Sequence, residues 1–519
     1  MEICFASDET TTVSTVSGKV RGYYSDDLYI FKGIPYAAAG RFQAPHAVTA
    51  WENVFDATSF GYVCPLLQQE RPSGELMVPH RYWLMDENCQ NLNVWTPGLD
   101  NQKRPVLVWL HGGGFSAGSA IEQLAYEGEN MSRLGNVVVV SINHRLNILG
   151  YMDLSDYGKK YEDSGNAGGN DIIAALRWIR ENIAGFGGDP ENVTVFGQSG
   201  GGGKVTALLQ SPGADGLFHK GVVMSGVLSD AMLGAGSGDA RPLVQAMLAE
   251  LNLTEKDVEQ LEKIPYASLA QAYNKVAPGL KQKGHYTGCM PRPGSSYAGD
   301  PLMVGFREET AHIPLMVGTV FGEFDFLPLT YDKRTLNREK GIEIVKERLD
   351  AEDTVSLIRM FEQAYPERNP VDLLSLDTLF RPATMQYIRK RGQSGKAPVY
   401  SYQFNLDFLP EHGKAAWHCS DIPYFFHNTR MAPALNIPGV TEKLEEQMFG
   451  CLMAFAETGN PNHPGIPVWE SSTGTEEKTL LFGKEVVSRT NFDEKLIPAF
   501  QPVAAEYMRK RMESAQILH

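Results

Sequence analysis

The 519-residue chain is short of several things, and each shortage removes a class of protein. It has only six cysteines: Cys4, Cys64, Cys89, Cys289, Cys419 and Cys451. That is too few for a disulfide scaffold, and no pair has CxxC or zinc-ligand spacing, so neither a stapled mini-fold nor a structural metal site is expected. No apolar run reaches the ~18 residues of a membrane helix. The opening MEICFASDETTTVST lacks a basic start and the roughly 7–15-residue apolar core of a secretory signal, which predicts a cytoplasmic protein. Cations are outnumbered: 47 Lys and Arg stand against 62 Asp and Glu, for a net charge of −15. Such a chain repels phosphate backbones and anionic lipid, so neither nucleic acid nor a membrane is expected as a partner. Internal repeats and low-complexity tracts are absent, and the 51 glycines follow no triplet period, which excludes collagen.

What remains is an ordinary globular composition, 43% hydrophobic and 21% charged, with length enough for a large core. VSGKVRGYY reads as a hairpin, and LYIFKGIPYA as a strand entering a turn at Gly33–Pro35. Strand-length apolar runs at Leu92–Trp95, Val106–Leu110, Val137–Ile142, Val193–Phe196, Gly221–Met224, Pro314–Gly318 and Val399–Phe404 alternate with helical patterns such as Asp171–Asn182 and Lys204–Gln210. Continuous apolar strands between helices predict an α/β fold with a mostly parallel sheet covered on both faces. Two charged stretches, about 230–300 and 330–395, carry helical spacing. They are expected to be cap insertions in a single domain spanning 1–519.

The strongest local signal is VTVFGQSGGGGKVTALL. Gly197-Gln198-Ser199-Gly200-Gly201 is a G-x-S-x-G sequence between a β-branched strand and a helix, the context of a nucleophile elbow. The turn is so tight that its flanking positions must lack bulky side chains, and the serine hydroxyl is left exposed above the sheet. The helix that follows aims its first amides at developing negative charge. A phosphate loop fits poorly, because the spacer and the Ser/Thr after Lys204 are missing. Upstream, a strand ends in His111-Gly112-Gly113-Gly114-Phe115, a glycine run of the kind that points backbone N–H groups at one oxygen.

These residues together resemble the type-B carboxylesterases, the cholinesterase-like branch of the α/β-hydrolase fold. FGGDPENVTVFGQSGG, Phe186 to Gly201, is similar to the family's active-site signature, and ENCQNLNVWTP, Glu87 to Pro97, resembles its second signature more loosely. GIPYA, RFQAP, Trp51, NHRLNILGY, GNAGGNDIIAALRWIRENI and TGNPN also resemble the family in order and spacing. The resemblance implies an ester hydrolase with no metal and no cofactor, acting on a small-molecule ester; a monomer or homodimer is the default expectation. A lipase, carbamate hydrolase or toxin-ester hydrolase would use the same residues. A non-catalytic binding protein on this fold is the reading from a different class.

The resemblance also assigns residues. Ser199 is the nucleophile. IPLMVGTVFGEFDF places Glu323 as the triad acid, with Phe324 where the family usually has Gly and Asp325 as the rival carboxylate. GKAAWHCSDIPYFFHN places His418 as the base, with His412 and His427 nearby. Gly113, Gly114 and Gly200 are implied as oxyanion donors. Cys64 and Cys89 stand where the family has a disulfide beside the active-site mouth; free thiols are expected in a chain without a signal. Tyr82, Trp83 and Met85 lie in that loop, to contact substrate or simply to pack. Ser225 resembles a family serine near the catalytic core and is read as structural.

Overall fold

The computed structural model describes residues 5–68, 77–228, 238–325, 328–349 and 351–516. Cys4, part of the Cys64–Cys89 loop and the first residues of the earlier insertion lie outside them. The hairpin expected near the start is present: Thr12–Thr15 pairs antiparallel with Gly18–Arg21.

Eleven strands among the described residues form the main sheet: β1 (Tyr23–Ser25), β2 (Leu28–Pro35), β3 (Asn91–Thr96), β4 (Arg104–Leu110), β5 (Val138–Ile142), β6 (Gly188–Gln198), β7 (Lys220–Met224), β8 (Leu315–Val320), β9 (Val399–Phe404), β10 (Lys478–Phe482) and β11 (Val486–Thr490). Their order across the sheet is β11-β10-β9-β8-β7-β6-β4-β5-β3-β2-β1. The run from β5 to β10 is parallel, and both edges are antiparallel.

The central strands are apolar on both faces because both faces are covered. Along β4, Val106, Val108 and Leu110 pack into one layer, with Ile172, Leu176 and Ile179 of helix α1 (Ala167–Asn182) and Val205 and Leu208 of helix α2 (Gly200–Leu209). Leu107 and Trp109 point the other way, into a layer with Leu444, Met448 and Phe455 of helix α8 (Thr441–Thr458). Alternate side chains on opposite faces produce these two layers.

Between β7 and β8 lie α3 (Arg241–Glu250) and α4 (Tyr266–Gln282), joined through Leu243, Met247, Leu269 and Ala272. Between β8 and β9 lie α5 (Arg338–Leu349), α6 (Thr354–Ala364) and α7 (Arg381–Gln393). Val345, Leu357 and Phe361 of this group share a core with Leu496 and Phe500 of the last helix, α9 (Leu496–Gln516). No helix among the described residues is long and apolar enough to cross a membrane.

Two strand readings change. β2 does not turn at Gly33; it continues to Pro35 through a bulge between Phe31 and Ile34. Gly33 sits at φ +70°, and its N–H, drawn out of the ladder, is taken by the Asn93 side chain at 2.9 Å. β6 starts five residues earlier than its β-branched stretch.

The register sets up the site. Leu110 pairs with Gly197, Gln198 with Met224, and Met224 with Gly318. The carboxyl ends of four neighbouring parallel strands therefore finish level, and the loops that leave them meet above one edge of the sheet.

Candidate active site

Ser199 leaves the end of β6 with φ 58° and ψ −126° and opens α2. Its N–H donates to the Met224 carbonyl at 2.8 Å, and its carbonyl accepts the Gly203 N–H at 3.0 Å. The glycines around it are sterically required. A Cβ on Gly197 would lie 2.5 Å from the Gly201 carbonyl carbon, and one on Gly201 would lie 2.0 Å from the Leu110 carbonyl oxygen. Ser199 is half-buried at the top of this turn.

The glycine run after β4 presses against the elbow. A Cβ on Gly112 would come within 3.4 Å of Ser199 Cβ, and one on Gly200 would meet the Gly114 carbonyl oxygen at 2.0 Å. Gly113 and Gly114 both adopt positive φ, +83° and +63°. Gly112 thus lies against Ser199, and Gly114 against Gly200 at the start of α2.

Glu323 follows β8, is 1% exposed and adopts φ +28°. Its Oε1 accepts the Val320 N–H at 2.9 Å, and its Oε2 meets His418 Nδ1 at 2.5 Å. His412 is exposed, and His427 turns to Glu445 and Glu446. The structure therefore brings His418 to Glu323 and keeps the two neighbouring histidines away. Asp325 is buried nearby, its N–H on the Gly322 carbonyl.

Several other side chains close around His418, and their contact with it was not expected from the sequence. Phe324 packs its ring 4.4 Å from the imidazole, and Phe380 stacks on it at 5.2 Å and 18°. The residue that departs from the family's glycine thus becomes part of the wall around the base. Gln198 places its amide nitrogen 3.2 Å from His418 Nε2, and its Oε1 accepts the Cys419 thiol at 3.2 Å. Among the hydrogen bonds of the described residues none runs from the Ser199 hydroxyl to His418. The Gln198 amide nitrogen lies within 3.4 Å of both imidazole nitrogens, off the line of the Nε2 lone pair, and catalytic bonds of this kind commonly tighten only when substrate arrives.

Two further carboxyl groups lie behind the pair. Asp377 accepts the N–H groups of Leu379, Phe380 and Arg381, while Asp421 accepts the Tyr402 hydroxyl at 2.9 Å. Burial, with the Glu323 charge nearby, pushes each up to about 7. Burial likewise pushes the Cys419 thiol up, so it is not a reactive thiolate. Cys64 and Cys89 are free and buried together, the Cys64 sulfur accepting the Leu146 N–H at 3.2 Å. Contact with Cys64, followed by burial, raises the Cys89 thiol well above its ordinary value.

A cavity of about 440 Å³ opens beside Gly114. Phe115 and Ser116 form its near wall; Tyr273, Asn274, Ala277 and Lys281 of α4 form the far one, with Cys289 and Met290 closing it. Tyr82 is exposed and Trp83 packs edge-on to Phe60. Among the described residues no cluster of His, Cys, Asp or Glu is arranged to hold a metal ion.

A largely parallel sheet with a strand–serine–helix elbow at its carboxyl edge defines an α/β-hydrolase. Residues 9–496 match the Carboxylesterase family. The para-nitrobenzyl esterase of Bacillus subtilis is 32% identical over 91% of this chain and 95% of its own length. The phenmedipham hydrolase of Pseudarthrobacter oxydans is 30% identical over 91% and 94%. Among solved structures, an esterase from Clostridium hathewayi that can hydrolyze aliphatic aromatic polyesters shares 51% identity, covering 97% of this chain and all of its own, with a TM-score of 0.94. The chain belongs to the carboxylesterase family and is a carboxylic ester hydrolase.

Proposed function

We propose that Ser199, His418 and Glu323 are nucleophile, base and acid of this hydrolase. The observation that carries the reading is the 2.5 Å pair between Glu323 and His418 Nδ1, set beside a serine that sits at φ 58° between strand and helix. Glu323 fixes the tautomer with the proton on Nδ1, which leaves the Nε2 lone pair to act as base. Nε2 takes the Ser199 proton as Oγ bonds to the ester carbonyl carbon. The carbonyl π electrons move to oxygen, and the N–H groups of Gly113, Gly114 and Gly200 stabilise that oxyanion. As the C–O bond to the alcohol breaks, His418 returns the proton to the leaving oxygen. Water, deprotonated by His418, then releases the acid from the acyl-enzyme and restores Ser199.

The cavity beside Gly114 is the proposed seat for the larger half of the ester. Its volume of about 440 Å³ and its mainly apolar walls suit an aromatic or medium-chain group. Relatives named for para-nitrobenzyl esters and for aliphatic aromatic polyesters support the same choice. Free Cys64 and Cys89 in contact fit a reducing compartment such as the cytoplasm.

The test is a burst experiment with p-nitrophenyl acetate through octanoate. The wild type is expected to release a stoichiometric burst of nitrophenol, and Ser199→Ala is expected to release none. Failure of an organophosphonate to label Ser199 in the folded wild type would sink the assignment.

A further inference from the structure

The glycines that would donate to the oxyanion are conformationally loose, and something has to aim them. In a trans peptide the carbonyl of one residue and the N–H of the next point in opposite directions. Holding a carbonyl therefore fixes the amide that follows. The carbonyls of His111, Gly112 and Gly113, which precede the amides of Gly112, Gly113 and Gly114, are each held. Gly113 O accepts the N–H of Ser116 and of Ala117, at 3.2 and 3.0 Å. Gly112 O lies 2.9 Å from His111 Nδ1, whose ring is buried and held neutral by that burial. His111 O accepts Lys204 Nζ at 2.8 Å.

The first two clasps are local to the loop. The third comes from α2, the helix that Ser199 itself opens, and Lys204 stands five residues beyond the serine in sequence. It ties the His111–Gly112 peptide, just ahead of the two donor glycines of the loop, to the element that carries the nucleophile. A Cβ on Gly201 would lie 2.9 Å from the same His111 carbonyl, so loop and helix are in backbone contact at this point.

Lys204 is 1% exposed, and its ammonium bonds a carbonyl where a buried lysine ordinarily needs a carboxylate. Burial brings its proton affinity down to about 7, with Glu122 and Cys64 offsetting only part of that shift. His111 and His144, stacked at 5.1 Å, are both kept from protonating by burial and by this cation. A methionine would fill the space without any of this cost.

We propose that Lys204 is a positioning residue for ester hydrolysis: by holding the His111 carbonyl it anchors the His111–Gly112 peptide at the base of the oxyanion loop to α2, and so sets how far the Gly113 and Gly114 amides stand from Ser199. The inference rests on the catalytic reading above, and its test is separable from that reading because the wild type must first show the Ser199-dependent burst.

Lys204→Met and Lys204→Gln are compared with the wild type on p-nitrophenyl butyrate, and a trifluoromethyl ketone serves as an analogue of the tetrahedral species. In Lys204→Met, kcat should fall by about 10- to 100-fold and the ketone should bind weaker by a similar factor, with KM within about twofold. Lys204→Gln keeps an N–H donor and should recover part of both losses. An unchanged kcat in folded Lys204→Met, or a loss confined to KM, would overturn the proposal. Should the methionine chain not fold, the glutamine chain decides. A joint fall in kcat and ketone affinity of about three- to tenfold supports the positioning role, and no change in either overturns it.

Discussion

Glu323 and His418 are joined twice. Their side chains meet at 2.5 Å, and the His418 backbone N–H donates to the Glu323 carbonyl at 2.8 Å. The second bond fixes where the β9 loop crosses the end of β8, so the imidazole is placed by backbone before its side chain contributes anything. Glu323→Gln should therefore leave the fold intact. Its carbonyl oxygen would keep the Val320 N–H, turning the amide NH₂ toward His418 Nδ1 and forcing the wrong tautomer. The expected loss is about 10⁴-fold in kcat with little change in KM. Steady-state kinetics beside a circular dichroism melt would check it, and a loss that follows unfolding would contradict it.

Gln198 makes a second prediction. Its amide touches both imidazole nitrogens, at 3.2 and 3.4 Å. Gln198→Glu would replace a neutral donor with an anion against the ring, which favours the imidazolium. Because the base must be unprotonated, the acid limb of the kcat/KM profile should move up by about one pH unit. A pH profile with its acid limb unmoved would show that the glutamate turns away from the ring.

The motif residues were legible because their constraints are local. A turn that places Leu110 O 2.0 Å from any Cβ on Gly201 admits only glycine, so the elbow is written into the sequence itself. The same holds for strands such as Val399–Phe404, buried at every position and matched residue for residue. The surroundings of His418 were not legible. Phe380 comes from the segment between β8 and β9 and meets the imidazole only because Asp377 takes the amides that turn the chain there. Lys204 and Gln198 sit inside the motif, yet what they touch depends on how closely the glycine loop approaches. β11 escaped notice because, at the sheet edge, it is exposed along most of its length.

Asp421 links the site to stability. Its carboxyl is fully buried and titrates near 7 in the folded chain, above the ordinary carboxylate range. Between about 4 and 7 the unfolded chain therefore releases this proton while the folded chain keeps it. The contribution to stability is full at low pH, declines through that window and is flat above it. Asp421→Asn keeps an acceptor for the Tyr402 hydroxyl and has no proton to lose. Its melting temperature should exceed the wild type's at pH 8 and converge with it toward pH 4. An equal offset at both ends would mean the carboxyl is not the titrating group, leaving Asp377, also near 7, as the source.

Lys281 is the one charged side chain among the described residues that line the cavity beside Gly114, and no carboxylate stands among them. In a chain of net charge −15, a pocket whose described lining carries a cation and no carboxylate should tolerate a substrate bearing a carboxylate at its far end. Comparing the p-nitrophenyl half-ester of a dicarboxylic acid with the neutral ester of equal length isolates this effect. Lys281→Glu should lower kcat/KM for the half-ester by about three- to tenfold and leave the neutral ester within about twofold. Because the lysine is exposed, the difference should shrink as salt is raised from low ionic strength toward about 0.5 M. Equal effects on both esters would place the acid half elsewhere, with the alcohol half in the cavity and its charge invisible to Lys281.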